Sequence, residues 1–163
     1  MIVVSDTSVI NNLAAIGQLE LLHDLYGSVV IPSAVFSELT QPRLSAGGEQ
    51  AKRYPWIQVK NVIDSDNVQS FLERLDIGES EAIALALELK ADRVLIDEKA
   101  ARRFAESKGL KIVGVLGILV SAKRKGLVLE LRPIIFELKS QANFWLSDAL
   151  CNKVLSSVGE QPI

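Results

Sequence analysis

MIVVSDTSVI, residues 1–10, carries the pattern from which the rest of this chain can be read. Ile2, Val3 and Val4 are β-branched and consecutive rather than alternating with polar residues. That is the pattern of a strand covered on both faces by helices, as in the parallel sheets of α/β proteins. Asp6 comes just past the end of this strand, followed by Thr7 and Ser8 and then a helical pattern. In open α/β sheets ligands bind outside the carboxyl ends of the strands, so Asp6 is the expected chemical centre.

Outward from this stretch, helical and strand patterns alternate. Val9, Ile10, Leu13, Ala14 and Ile16, then Leu19, Leu21, Leu22 and Leu25, predict helix in two pieces broken at Gly17. Ser28–Ile31 reads as a second buried strand, and Pro32 suits the first turn of the helix SAVFSELTQ, which Gln41-Pro42 stops. A short polar helix around Glu49–Tyr54 and a weaker strand over Ile57–Val62 follow. Asp64–Asn67 offer caps for a helix through Phe71, Leu72 and Leu75, and Gly78 precedes the buried helix ESEAIALALELKA. Arg93–Asp97 is the fourth strand, EKAARRFAESKG a helix closed at Gly109, and Lys111–Val115 the fifth strand. Helices over Leu119–Lys125 and Ile134–Lys139 come next, then a last one capped by Ser147 with Leu150, Val154 and Val158 on its apolar face. The alternation predicts a three-layer α/β/α fold with a mainly parallel five-stranded sheet. One domain is expected over 1–163, with its core in about 1–125 and added helices over about 126–158.

Composition narrows the chemistry. The chain has 163 residues, 48% of them hydrophobic, and a mean hydropathy of +0.24; that is enough for one substantial core. No apolar run approaches a membrane span, and MIVVSD turns acidic too early for a secretory signal, so a soluble, cytoplasmic protein is expected. Cys151 and His23 are each alone, which leaves no disulfide framework, no cysteine zinc site and little room for a histidine-rich metal site or a Ser-His-Asp triad. Catalysis would fall to carboxylates. A net charge of −2 and a pI of about 5.5 argue against coating nucleic acid non-specifically, so any such contact is local.

Right-handed strand-helix-strand units place strand ends and helix starts on one rim, and the acids collect there. Asp6 ends the first strand, Asp97 and Glu98 end the fourth, and Glu79 and Glu81 start the helix that precedes it. Glu38 lies roughly 8 Å into its own helix, with its side chain tilted back toward the start. Each acid also has a purely structural reading: Asp6 and Asp97 as helix caps, Glu79 as a dipole-compensating first-turn residue. Clustered carboxylates repel unless a cation joins them, and no basic residue is obviously placed among them. Mg²⁺ or Mn²⁺ is the natural partner of an all-oxygen site.

The strand-end DTS at Asp6–Ser8, the glutamate of VFSEL, GESEAIALA at Gly78–Ala86 and VLIDEKAAR at Val94–Arg102 together resemble a PIN domain, in particular its VapC-like toxin branch and uncharacterised relatives, over about residues 1–125. The resemblance implies a Mg²⁺- or Mn²⁺-dependent ribonuclease that hydrolyses RNA phosphodiesters with an activated water. By position Asp6 matches the first family acid, Glu38 the second, Glu81 the third (where aspartate is more common), and Asp97 or Glu98 the fourth. Ile96 stands where many members have threonine, and Thr7 or Ser8 resembles the family's hydroxyl neighbour of the first acid. The resemblance also implies a homodimer and a small antitoxin-like partner that masks the acidic rim.

Arg102-Arg103 and Lys123-Arg124-Lys125 could steer a phosphate backbone, or belong to solvated helix faces. Trp56 and Trp145 could stack on bases, although packing in a core or an interface is the more ordinary use of either. Apolar helical residues over 116–158, Phe144, Trp145, Leu146, Leu150, Val154 and Leu155 among them, supply surface for a dimer, with Trp145 as its anchor, or close the sheet's far edge. Gly114–Gly117 is only GxxG, so no dinucleotide or P-loop site is expected. Two rival readings remain: a catalytically silent PIN-like binding protein, and a Mg²⁺-dependent phosphoacceptor signalling domain. The second would want an aspartate after the third strand, where the chain reads QVKNVID.

Overall fold

The structure is a computed structural model that describes residues 1–41, 46–142 and 144–163. β1 (Val3–Ser5) is the middle strand of five, between β2 (Val29–Pro32) and β4 (Arg93–Leu95); β3 (Ile57–Lys60) flanks β2, and β5 (Ile112–Val113) flanks β4. Every pairing is parallel, with Val4 opposite both Val30 and Val94 and Ser5 opposite Leu95. This is the three-layer α/β/α fold expected of the sequence. From β1 the chain runs outward to β2 and β3, then returns to β4 on the other side of β1. The strand order therefore reverses between β1 and β4, and a crevice opens beyond the carboxyl ends of those two strands.

Successive strand residues point to opposite faces, and β1 feeds both cores. Val3 packs with α1 (Thr7–Ala15), α2 (Leu21–Tyr26), α8 (Val115–Arg124), α9 (Arg132–Gln141) and α10 (Asp148–Ser157), through residues such as Leu13, Leu22, Ile118 and Ile135. Val4 packs with α5 (Ser65–Phe71), α6 (Ile77–Leu89) and α7 (Lys99–Ser107), through Phe71, Ile83 and Ala105. Leu138 of α9 and Cys151 and Leu155 of α10 are buried in the same core as Val3, so the last third of the chain is part of the fold rather than an addition to it. Among the described residues, no helix is long and apolar enough to cross a membrane.

Several boundaries differ from the sequence reading, each for a local reason. β4 stops at Leu95 rather than Asp97, and β5 stops at Val113, because α8 already begins at Val115 with its N–H on the Asp97 carboxylate at 3.0 Å. β3 stops at Lys60, short of Val62; beyond it the N–H groups of Ile63 and Asp64 turn to the Glu88 carboxylate of α6, with contacts of 2.7–3.1 Å. Pro32 closes β2 and precedes α3 (Ser33–Leu39) instead of lying in its first turn. Pro42, expected to stop that helix, lies outside the described residues, and α3 ends at Leu39. The polar helix near Glu49 forms as α4 (Gly48–Arg53). Gly78 is inside α6, which starts two residues earlier than expected with Asp76 as its cap.

Candidate active site

Asp6 is the first residue past β1, and only 2% of it is exposed. Its N–H bonds to the carbonyl of Leu95 at 3.1 Å, which ties it to the end of β4. Its Oδ1 accepts the N–H of Val9 at 3.1 Å and caps α1. The helix-cap reading of Asp6 is thus correct, and it does not exhaust the residue. Burial pushes the Asp6 carboxyl well above the usual carboxylate range in spite of the Val9 bond, and the charges of Asp97, Glu79 and Asp76 push it further.

Asp97 lies two residues past β4. Its Oδ1 accepts from Val115, while its Oδ2 is buried with no hydrogen-bond partner. Burial raises its pKa; the Val115 N–H and the Arg102 guanidinium work against that rise. Arg102 is thus a cation within electrostatic reach of the acids, which the sequence reading had not placed there. Gly114 makes the approach of Asp97 possible, since a Cβ there would sit 2.5 Å from Asp97 Oδ1. The α7 cap expected of Asp97 is made instead by Glu98, whose carboxylate accepts the Ala101 N–H at 2.9 Å.

Glu38 reaches the same rim from α3. Thr7 Oγ1 donates to its Oε2 at 2.8 Å, and the carboxylate lies so close to Gly78 that a Cβ there would meet Oε1 at 2.5 Å. Next to Gly78, Asp76 and Glu79 form a reciprocal capping box at the start of α6, with bonds of 2.8 and 3.2 Å. Burial raises the pKa of Glu79 against its bond to the Asp76 N–H, and Asp76, Glu98 and Glu38 raise it further. Asp6, Glu38, Asp76, Glu79, Asp97 and Glu98 therefore form one electrostatic group.

Glu81 stands apart from it. Residues two apart on a helix diverge by about 200°, so Glu79 and Glu81 cannot both face Asp6. The Glu81 carboxylate accepts the Ala34 N–H at 3.0 Å, at the start of α3, and lines a separate cleft of about 330 Å³ with Ser33 and Asn61. The convergence expected of it does not occur.

Thr7, Ser8, Glu38, Asp97 and Glu98 line one open cleft of about 800 Å³, with Trp145 at its edge. Arg102 lines an adjoining cleft that shares Asp97, whereas Arg103, the next residue of α7, faces a different one beside Arg74. The Lys123–Lys125 cluster is not at this rim. It closes α8, whose first residue touches Asp97, so about nine residues and some 14 Å of helix intervene. Lys123 is also engaged by Glu160 at 2.7 Å. Trp56 is half-buried and stacked between His23 and Tyr54, with ring centroids 5.3 Å away on either side. Asp76 could have been found in the sequence, because Asp76-x-x-Glu79 is a capping-box signature. The roles of Gly78 and Gly114 left no local signal.

As these side chains stand, no group of three or more acids, histidines or cysteines among the described residues is drawn together closely enough to hold a metal ion. The donor set nevertheless fits a hard cation. It is all oxygen, it includes the unpartnered Asp97 Oδ2 and the buried Asp6 carboxyl, and Mg²⁺ is commonly held by only one or two carboxylates plus waters.

A parallel sheet with carboxylates gathered at the reversal of its strand order defines an α/β domain whose ligand crevice is acidic. Comparison with family models makes the assignment specific: residues 2–160 match the family model DUF3368, a PIN domain, and the chain belongs to the PIN-domain family. The match runs well past Lys125, in keeping with the place of α9 and α10 in the core. No curated protein matches the chain.

Proposed function

We propose that this protein is a Mg²⁺- or Mn²⁺-dependent endoribonuclease acting in the cytoplasm as the toxin of a toxin–antitoxin pair. The observation that carries the reading is the pair Asp6 and Asp97 at the ends of adjacent strands, the first a buried carboxyl and the second a partly buried one that lines the cleft. In this reading Asp6 and Asp97 hold the cation, Glu38 and Glu79 support it, and Glu98 lies at the rim. When bound, the cation lowers the pKa of a water and offsets charge on the phosphate. Thr7 fixes the Glu38 carboxylate through its hydroxyl, Ser8 lines the cleft, and Arg102 offers donors to a phosphate oxygen. The test is cleavage of single-stranded RNA by purified protein with and without EDTA. Cleavage that survives both EDTA and Asp6→Asn would sink the proposal.

One observation favours a catalytically silent PIN fold: Glu38, Glu79 and one oxygen of Asp97 are already engaged by internal hydrogen bonds. Titration with Mn²⁺ separates the two readings, since a silent fold shows no metal-dependent rise in melting temperature. The phosphoacceptor reading fits poorly, because β3 is an edge strand with β2 between it and β1, and Asn61 follows it.

An antitoxin-like partner that inserts an Arg or Lys among the acids would replace the cation's charge and block substrate together. The homodimer is supported by Leu127, Leu129 and Phe136, which are exposed around the start of α9 and its preceding loop. Light scattering over a dilution series tests it, and a monomer mass at tens of micromolar would remove it.

A further inference from the structure

Trp145 is 86% exposed, yet the residues on either side of it are held in. Leu146 is buried at 6% exposure, and Phe144 is half-buried against the core that contains Val3. With its neighbours pinned inward, the indole is turned outward, and it borders both the acid cleft and the adjoining cleft of about 450 Å³. Ile112, Val113, Leu116 and Val154 make the apolar side of that second cleft, while Arg102 and Asp97 make its polar end. A single exposed aromatic is ordinary on a protein surface. A flat aromatic wall, an apolar floor and a guanidinium converging next to clustered carboxylates are a more particular combination.

We propose that this second cleft is a nucleobase subsite, in which Trp145 stacks on the base of a nucleotide flanking the scissile phosphate and Arg102 contacts the phosphate that joins them. The proposal rests on the ribonuclease reading of the acid cleft. Its volume falls within the range of about 300–1,000 Å³ usual for small-molecule sites, whereas a partner helix is about 10–12 Å across. Stacking on an aromatic accepts any base, because every base has a π-face. The subsite thus adds grip on single-stranded RNA and excludes a continuous duplex, whose bases are already stacked. Asp97 belongs to both clefts, so a base held against Trp145 keeps its own phosphodiester beside the acids.

The two tryptophans make a direct test possible, since Trp56 and Trp145 are the only ones in the chain. In a Trp56→Phe, Asp6→Asn protein with Mg²⁺ present, titration with hexaadenylate is expected to quench Trp145 fluorescence to saturation. The same oligomer with abasic sites is expected to leave the fluorescence unchanged. By fluorescence anisotropy of end-labelled hexaadenylate, Trp145→Ala is expected to weaken binding roughly tenfold or more, and Trp145→Phe to restore most of it. Cleavage by wild-type protein without base-dependent quenching would overturn the subsite and leave the ribonuclease reading standing. Base-dependent quenching, where the wild-type protein cleaves no RNA with Mg²⁺ or Mn²⁺ present, would uphold the base-binding cleft and remove that reading. Quenching that follows protein concentration in the absence of RNA would overturn the subsite in favour of contact with a second copy of the chain.

Discussion

The backbone N–H of Asp6 donates to the carbonyl of Leu95 at 3.1 Å, joining the first residue past β1 to the last residue of β4. Asp97 is two residues beyond Leu95, so the frame that carries both acids, Asp6 buried and Asp97 partly buried, is set by a main-chain bond between adjacent parallel strands. Substituting either acid changes the charge in the crevice while leaving that frame in place. The consequences can be measured one residue at a time.

Asp6→Asn keeps an oxygen for the Val9 N–H and, with it, the cap of α1, because Asn caps about as well as Asp. It removes a carboxyl whose folded pKa is raised by burial and by neighbouring charge. A raised folded pKa contributes stability in full below the unfolded value of about 3.9 and loses it as pH rises through the folded value. The metal-free Asn variant should therefore melt no lower than wild type near neutral pH, with the difference moving in its favour as pH rises from 4. It should also lose the upward shift that Mn²⁺ gives the wild type. A clear drop in its metal-free melting temperature would mean that the cap outweighs the buried charge.

Gly114→Ala should damage activity far more than folding. Its Cβ would lie 2.5 Å from Asp97 Oδ1, and the carboxylate would have to leave the Val115 N–H. Displacement of about 1 Å at a reacting centre can cost on the order of a hundredfold in rate. Cleavage assays beside circular dichroism are the check, and a variant of wild-type rate would show that the position of Asp97 is not critical.

Glu79→Gln and Glu81→Gln should separate cleanly. Glu79 shares the electrostatic group around Asp6, whereas Glu81 holds the start of α3 through Ala34. The first substitution should lower metal-dependent cleavage tenfold or more, on the order of 1.4 kcal/mol. The second should leave it within a few-fold, and Glu81→Ala should cost about 1 kcal/mol of stability through the bond lost to α3. Equal loss of activity from both glutamine variants would bring Glu81 back into the site.

Thr7→Val removes the hydroxyl that donates to Glu38 at 2.8 Å and nearly preserves its shape. The apparent Mn²⁺ affinity, read by thermal shift, should weaken several-fold, and Thr7→Ser should recover it. Recovery by Ser distinguishes orientation of the carboxylate from simple packing.

Glu160 has the opposite sign from Asp6. Burial is the largest single influence and raises its pKa, but Lys123 and the N–H groups of Leu131 and Arg132 together outweigh it and hold the carboxyl below its usual range. Its contribution is therefore present above the unfolded value of about 4.3 and disappears as pH falls through the folded one. Urea denaturation across the acid range should show wild type losing part of its advantage over Glu160→Gln below that value. A difference independent of pH would mean that the contacts act by shape alone.

The first ten residues determined a great deal by themselves. A consecutive β-branched run ending in an acid needs no tertiary information to be read as a buried parallel strand with chemistry at its end, and the alternation downstream established the three layers. The acids of the rim were legible for the same reason, since strand ends and helix starts share one side of such a sheet. The phase of α6 was not legible. Ile83, Ala84, Leu85 and Ala86 are all buried, and a helix apolar on every side carries no periodic signal of which residue faces where. Only its packing on β1 and α3 brought the charge of Glu79 within reach of Asp6 and gave Glu81 the Ala34 N–H at the start of α3. The places of Arg102, Gly114 and Trp145 were likewise decided in three dimensions, because each depends on β4, β5 and α10 coming together from distant parts of the chain. Local sequence records what a segment can form; which side chains then meet is fixed by the strand order and by the close approaches that packing allows.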